Sequence, residues 1–285
     1  MSADLLGLNG CVALVTGGCQ SIGRGCATQL ARAGCQIVVS DIVDGAAAVA
    51  ELSSFGAEAI FVRADATSRD EMTELLALIE RRFGRLDIAV NTVGSTRGPR
   101  PFLDIGDDEW DEVVRMNLST AMLATQLEAR TMIRLGIAGR IINVGSLSGV
   151  IGAPNASGYG AANAGVLHLT ASAALELAPY QIRVNCIIPG THDTETTRAA
   201  RSGDNPALAE WVRQAEASVP LGRLGDPNET GGLAVFLASS LSSYMTGQGL
   251  ISDGGLVHTS ARPPIGLGMV AQSVPPPAPS TTVLT

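Results

Sequence analysis

Ser146, Tyr159 and Asn163 are the side chains of this 285-residue sequence best spaced to do chemistry together. The tyrosine lies thirteen residues after the serine, and the asparagine four residues further on. Two hydroxyls converging on one point can bind a carbonyl or alcohol oxygen and pass a proton to it. Tyr159 and Asn163 fall at i and i+4 of a long Ala-rich segment, which puts them on one helical face, one turn apart. Ser146 closes the apolar run IINVG, which reads as a buried strand. The acidity of Tyr159 then depends on the residue one turn along, and Asn163 is neutral.

The elements that must position this trio alternate along the chain. VALVT (12–16), QIVVSD (36–41), EAIFVR (58–63), LDIAVN (86–91), RIINVG (140–145), IRVNCIIP (182–189) and a run near 248–252 are mostly apolar, as parallel strands covered on both faces should be. Helical stretches are expected at 21–33, 44–55, 68–84, 107–136, 157–178, 206–217 and 226–238. This alternation predicts a single α/β domain over 1–258, a Rossmann-type doubly wound parallel sheet with right-handed crossovers. Residues 259–285, ending in SVPPPAPSTTVLT, read as a Pro-rich extension, mobile or packed as an arm on a neighbouring subunit.

The first strand runs into TGGCQSIGRG (16–25), which opens a helix. Glycines there permit a tight turn and close approach of backbone amides to a pyrophosphate, which the helix dipole favours. Asp41 ends the second strand, where a carboxylate can accept both ribose hydroxyls of an adenosine and repel a 2′-phosphate. Gln20 adds no phosphate-binding charge. NAD(H) is therefore expected in preference to NADP(H).

From these residues onward the chain resembles the short-chain dehydrogenase/reductase family over residues 8–258. The glycine motif T-G-x-x-x-G-x-G appears as Thr16, Gly17, Ser21 and Gly23; N-N-A-G appears as NTVG (91–94); R-V-N stands at 183–185; and DGG (253–255) is similar to the family's closing signature. The resemblance implies dinucleotide contacts from Gly17, Gln20, Ser21, Ile22 and Gly23, from Asp65 and Ala66 beside adenine, and from Asn91 and Gly94. It further implies Pro189 and Gly190 by the nicotinamide, and Thr194 holding its carboxamide. It makes Asn117, in MNL, the holder of a relay water, Ser146 the orienter of the substrate oxygen and Tyr159 the acid/base. It also implies a homotetramer (or a homodimer) built through the helices near 107–136 and 157–178.

Three departures from the pattern stand out. Ser21 replaces a glycine, so its Cβ either crowds the pyrophosphate or shifts the loop, unless its hydroxyl bonds a phosphate oxygen. Thr92 loses an amide that would brace neighbouring strands, and Val93 adds bulk beneath the adenine. Asn163 stands where the family has lysine, and the chain contains no lysine at all: its 19 basic residues are arginines. At ~5 Å and an effective dielectric of ~20, one positive charge would contribute roughly 3 kcal/mol, or about two pKa units, to the tyrosine. Without it Tyr159 is a poor base near neutral pH and a serviceable acid. Arg183 and Arg115 are the arginines to test as replacements. His192, in the loop after Pro189-Gly190, is a further candidate base or substrate ligand, with a solvent-facing or packing role as its alternative. His168 reads as structural and His258 as a surface residue, and three histidines this dispersed form no metal pattern.

Composition bounds the rest. A net charge of −8 argues against nucleic acid or an anionic membrane as partner. The chain has no apolar stretch long enough to span a membrane, and its start does not read as a secretory signal, so a cytoplasmic protein acting on a small molecule is expected. The five cysteines, with no C-x-x-C, read as small buried fillers. The first functional expectation is an NAD(H)-dependent oxidoreductase acting on a carbonyl or secondary alcohol. A non-redox lyase, isomerase or cyclase on the same scaffold, or a catalytically weak nucleotide-binding protein, are the alternatives. Residues 195–218 should form a lid over the pocket.

Overall fold

A computed structural model describes residues 5–259. Its seven strands are β1 (Val12–Thr16), β2 (Gln36–Asp41), β3 (Ala59–Arg63), β4 (Ile88–Asn91), β5 (Arg140–Val144), β6 (Arg183–Pro189) and β7 (Gly249–Ser252). They form one parallel sheet in the order β3-β2-β1-β4-β5-β6-β7. Every residue of β1 and β4 is buried, whereas β3 and β7 are half-exposed, as edge strands must be. Strand order reverses between β1 and β4, and a doubly wound sheet opens a crevice at such a point, beyond the carboxyl ends of its strands.

The helices are α1 (Ser21–Arg32), α2 (Ala46–Ser54), α3 (Arg69–Phe83), α4 (Asp107–Val114), α5 (Thr120–Leu135), α6 (Ser157–Leu177), α7 (Glu195–Ser202), α8 (Pro206–Ser218) and α9 (Pro227–Ala238). The pleat of β1 divides its side chains between two cores. Ala13 and Val15 pack with Cys26 and Leu30 of α1 and Leu237 of α9, while Val12 and Leu14 pack with Leu75 and Ile79 of α3 and Leu127 of α5. Four of the five cysteines are buried in the packing, as small fillers.

Local signals account for the boundaries. Ser68 caps α3 by accepting a hydrogen bond from the Glu71 N–H, and Gly84 ends the helix at φ 68°. Asp226 and Glu229 form a reciprocal capping box at the start of α9, with Pro227 in its first turn. Over 107–136 the helices are joined without a break in the chain's course by a π-helical turn at Arg115–Ser119, a feature the sequence did not signal. One expectation needs correction, that for 195–218: the segment, expected to carry one helix, carries two, because Thr194 supplies a second cap. No helix of the described residues is long and apolar enough to cross a membrane. The extension expected at 259–285 lies, apart from Thr259, outside the described residues.

Candidate active site

A cleft of about 480 Å³ opens over the carboxyl ends of β1, β2, β4, β5 and β6. Of the residues expected to serve it, Gly17, Gln20, Ser21, Ile22, Gly23, Asp41, Asp65, Ala66, Gly94, Pro189 and Gly190 line it, as do Ser146, Tyr159 and Asn163. Asn91, Asn117 and Thr194 do not.

The glycine loop keeps its close approach. A Cβ at Gly23 would lie 2.1 Å from the Gly17 carbonyl oxygen, and one at Gly17 would lie 2.8 Å from Thr92 Oγ1. Ser21 retains the left-handed backbone that a glycine would adopt there, at φ 50°. For a non-glycine residue this conformation costs about 1–2 kcal/mol. The Ser21 hydroxyl donates to Glu195 Oε2 at 2.7 Å. Thr92 is a brace after all, its hydroxyl donating to the Thr16 carbonyl at 2.7 Å in place of the expected amide.

At the far end from the hydroxyl pair, Asp41 is oriented by backbone donors. Its Oδ1 accepts from the N–H of Ile42 (2.8 Å) and of Val43 (3.3 Å), and its Oδ2 from the N–H of Cys19 (3.2 Å). Ile42 and Val43 also line the cleft while remaining substantially exposed. Two apolar residues directly after a strand-terminal carboxylate were the available sequence signal for them.

Asn91 lies beneath the floor. Its Oδ1 accepts from Thr16 Oγ1 at 3.3 Å, and its Nδ2 donates to Asn143 Oδ1 at 3.1 Å and to Glu128 Oε2 at 3.0 Å. Thr16, Asn91 and Asn143 occupy one register row across β1, β4 and β5, so this network ties three strands together just below the loops of the site. Glu128 of α5 is fully buried and its other oxygen has no hydrogen-bond partner among the described residues. Burial pushes its carboxyl up to about 7, with the Asn91 hydrogen bond opposing. Sequence reading missed Glu128, because a lone glutamate at helical spacing looks like a solvated residue.

The π-helical turn sets Asn117. Its Nδ2 donates to the Val113 and Ser95 carbonyls at 2.7 and 2.8 Å, and its Oδ1 accepts from the Ser95 N–H at 3.1 Å. The side chain thus pins the loop after β4 to α4 and is buried behind the cleft wall. Thr194 is the N-cap of α7, engaged in a capping box with Thr197, and Thr196 faces the cleft instead.

The hydroxyl pair forms at the carboxyl end of β5. Ser146 Oγ accepts from the Ser148 N–H at 3.2 Å, and Tyr159 reaches it from the first turn of α6. Burial raises the Tyr159 phenol above its ordinary value, and hydrogen bonds with Ser146 and Asn163 offset part of the rise. Asn163, almost wholly buried, donates from Nδ2 to the Tyr159 carbonyl at 2.9 Å. No described residue lining the cleft is basic. Arg183 is committed to the carbonyls of Leu237 (2.8 Å), Met245 (3.1 Å) and Ser239 (3.3 Å), and Arg115 to Glu112 (2.7 Å). Neither takes the lysine's place.

His192 is not a base in this cleft. It is buried, with Nδ1 2.9 Å from the carbonyl of Gly190 in its own loop and Nε2 2.8 Å from Thr230 Oγ1 of α9, so both ring nitrogens are engaged in holding that loop. His168, expected to be structural, is exposed on α6; His258 is exposed as expected.

A parallel sheet of this order with a glycine loop opening α1 is the Rossmann-type α/β architecture, and a Ser–Tyr pair stands at the ends of β5 and α6. The family model described as enoyl-(acyl carrier protein) reductase matches residues 17–257, and the chain belongs to the short-chain dehydrogenase/reductase family. It is 35% identical over 247 residues to 3-oxoacyl-(acyl-carrier-protein) reductase of Chlamydia pneumoniae, covering 86% of this chain and 96% of that protein. It is 37% identical over 249 residues to L-rhamnose 1-dehydrogenase (NAD(P)(+)) of Azotobacter vinelandii, covering 85% and 95% respectively. Among solved structures, an NAD+-bound xylitol dehydrogenase superimposes with a TM-score of 0.80 at 35% identity, covering 87% of this chain and 100% of that one. The relatives are dehydrogenases and reductases, and the chain is an oxidoreductase of that class.

Proposed function

We propose that the protein reduces a carbonyl of a small organic substrate to a secondary alcohol with NADH, and that it favours reduction over oxidation. The observation that carries this reading is the Ser146–Tyr159 pair at one end of a cleft whose other end presents Asp41. The glycine loop suits a dinucleotide, since a Cβ at Gly23 would meet the Gly17 carbonyl, one at Gly17 would meet the Thr92 side chain, and the α1 N-terminus faces the cleft. Asp41 would accept the adenosine ribose hydroxyls, and the lack of a basic side chain in the described lining supports NAD(H) over NADP(H). NADH, when bound, supplies the hydride to the carbonyl carbon. Ser146 orients the carbonyl oxygen, and the Tyr159 phenol donates its proton to that oxygen, which leaves as the alcohol. Asn163 fixes the first turn of α6 through the Tyr159 carbonyl and offers a neutral hydrogen bond where a charge would lower the phenol's pKa. A phenol raised by burial is a competent donor and a poor acceptor, which is why reduction is favoured.

The same raised phenol also suits a non-redox acid role, in a lyase, isomerase or cyclase, and this is the second reading. A homotetramer goes with the first: Met122 of α5, Val150 before α6 and Leu175 of α6 are exposed apolar residues on the helices expected to assemble.

The test is NADH titration, followed by a carbonyl and alcohol panel on wild type and Asn163→Lys. NADH should bind, ketones should be reduced, and Asn163→Lys should move the pKa controlling alcohol oxidation down by about two units. Absence of NADH binding at millimolar concentration ends the redox reading. Product formed from a cognate substrate with no change in NADH absorbance would establish the second.

A further inference from the structure

Glu195, the first residue of α7, reaches across the mouth of the cleft to the residue that opens α1. Its Oε2 accepts the Ser21 hydroxyl at 2.7 Å, joining positions 174 residues apart. Partial burial works against the ionised carboxylate, yet hydrogen bonds from the Ser21 hydroxyl and backbone N–H, together with Arg198, hold its pKa below the usual carboxylate range. A carboxylate that takes a hydroxyl and a backbone N–H at the start of a helix makes the contacts an incoming phosphate would make. No basic side chain lines the described cleft, so the α1 N-terminus is the principal complement to a pyrophosphate there, and Glu195 already holds part of it. The lid side of the contact is firmly placed. Thr194 and Thr197 cap α7 reciprocally, and Arg198 and Arg201 pair with Asp193 at 3.4 and 3.3 Å.

We propose that Glu195 is an internal stand-in for the cofactor's pyrophosphate: its carboxylate straps α7 to the glycine loop in the free protein and must be displaced when a dinucleotide binds. This rests on the dinucleotide reading of the cleft. Ser21 is then a device rather than a blemish, since its hydroxyl supplies a donor that a glycine would lack. Dinucleotide affinity is lowered by the free energy of the strap, and binding is coupled to release of the lid over the substrate end.

The experiment is the equilibrium Kd for NADH on the full-length protein, wild type against Glu195→Gln, Ser21→Gly and the double variant. Each single change should tighten NADH by about tenfold, equivalent to about 1.4 kcal/mol. The double variant should bind no more tightly than the better single, because both remove one contact. Tightening by Glu195→Gln with none by Ser21→Gly would reduce Glu195 to a nearby like charge and overturn the strap. Unchanged or weaker binding in both singles would overturn it too, leaving the cofactor reading intact. If NADH binds none of the four proteins at millimolar concentration, the cofactor reading falls and the strap with it.

Discussion

Tyr159 and Glu128 are buried side chains whose pKa values rise with no cation beside them. For Tyr159 the consequence is catalytic: burial keeps the phenol protonated, and Asn163 lies within reach but carries no charge. For Glu128 the consequence is stability. Its carboxyl titrates at about 7 in the folded protein against 4.5 for an ordinary glutamate, so the folded state binds the proton more tightly than the unfolded state. The contribution is fully present below about pH 4.5 and is lost as pH rises through about 7. The unfolding free energy should therefore fall over that window by up to about 3 kcal/mol on account of this residue. Glu128→Gln keeps the bond with Asn91 and removes the titration, so denaturant unfolding at pH 5, 6, 7 and 8 should show a flatter profile in the variant. Identical slopes in the two proteins would refute this account of Glu128.

At the scale of elements, α1 and α9 approach until their backbones touch. A Cβ on Gly25 would lie 2.2 Å from the Pro227 carbonyl oxygen, and one on Gly231 would lie 2.3 Å from the Gly25 carbonyl oxygen. These atoms are main chain, so a substitution must push the helices apart. Gly25→Ala should cost about 1–3 kcal/mol by overpacking. Gly232, also in α9, has nothing within 4 Å of its would-be Cβ. Gly232→Ala should stabilise by about 0.5–1 kcal/mol through lower unfolded-state entropy. Urea midpoints for the two variants should move in opposite directions. This pair of helices matters to the site because α1 carries the glycine loop, while α9, through Thr230, holds the His192 loop.

Across the whole molecule, exposed apolar side chains mark faces that a monomer would leave wet. Leu103 before α4 is 93% exposed, Leu175 on α6 is 78% exposed, and Tyr244 before β7 is fully exposed. Multi-angle light scattering of the full-length chain should give four times the chain mass. A monomer at micromolar concentration would count against assembly through these faces.

Much of this was legible in the linear sequence. Each strand needed only a run of apolar residues to announce it, since a parallel strand is covered on both faces whatever its neighbours are. The cleft-lining glycines, Asp41, Ser146 and Tyr159 follow from motif order for a similar reason: each is attached to the end of a strand, and strand order fixes where that end lies. Asn163 was readable as a missing charge from residue type alone. The rest depended on contacts between distant segments. Only the tertiary structure takes Asn91 out of the cleft lining and into a network with Glu128, makes Thr194 a helix cap with Thr196 beside it lining the cleft, and closes both nitrogens of His192 on Gly190 and Thr230. Ser21 shows the division most clearly. Its departure from glycine is a fact of sequence, but its hydroxyl finds Glu195 only because the sheet brings residues 21 and 195 to opposite banks of one cleft. Types and spacings along the chain determine local elements and reacting groups, whereas partners separated by most of the chain are decided by where the sheet order sets them down.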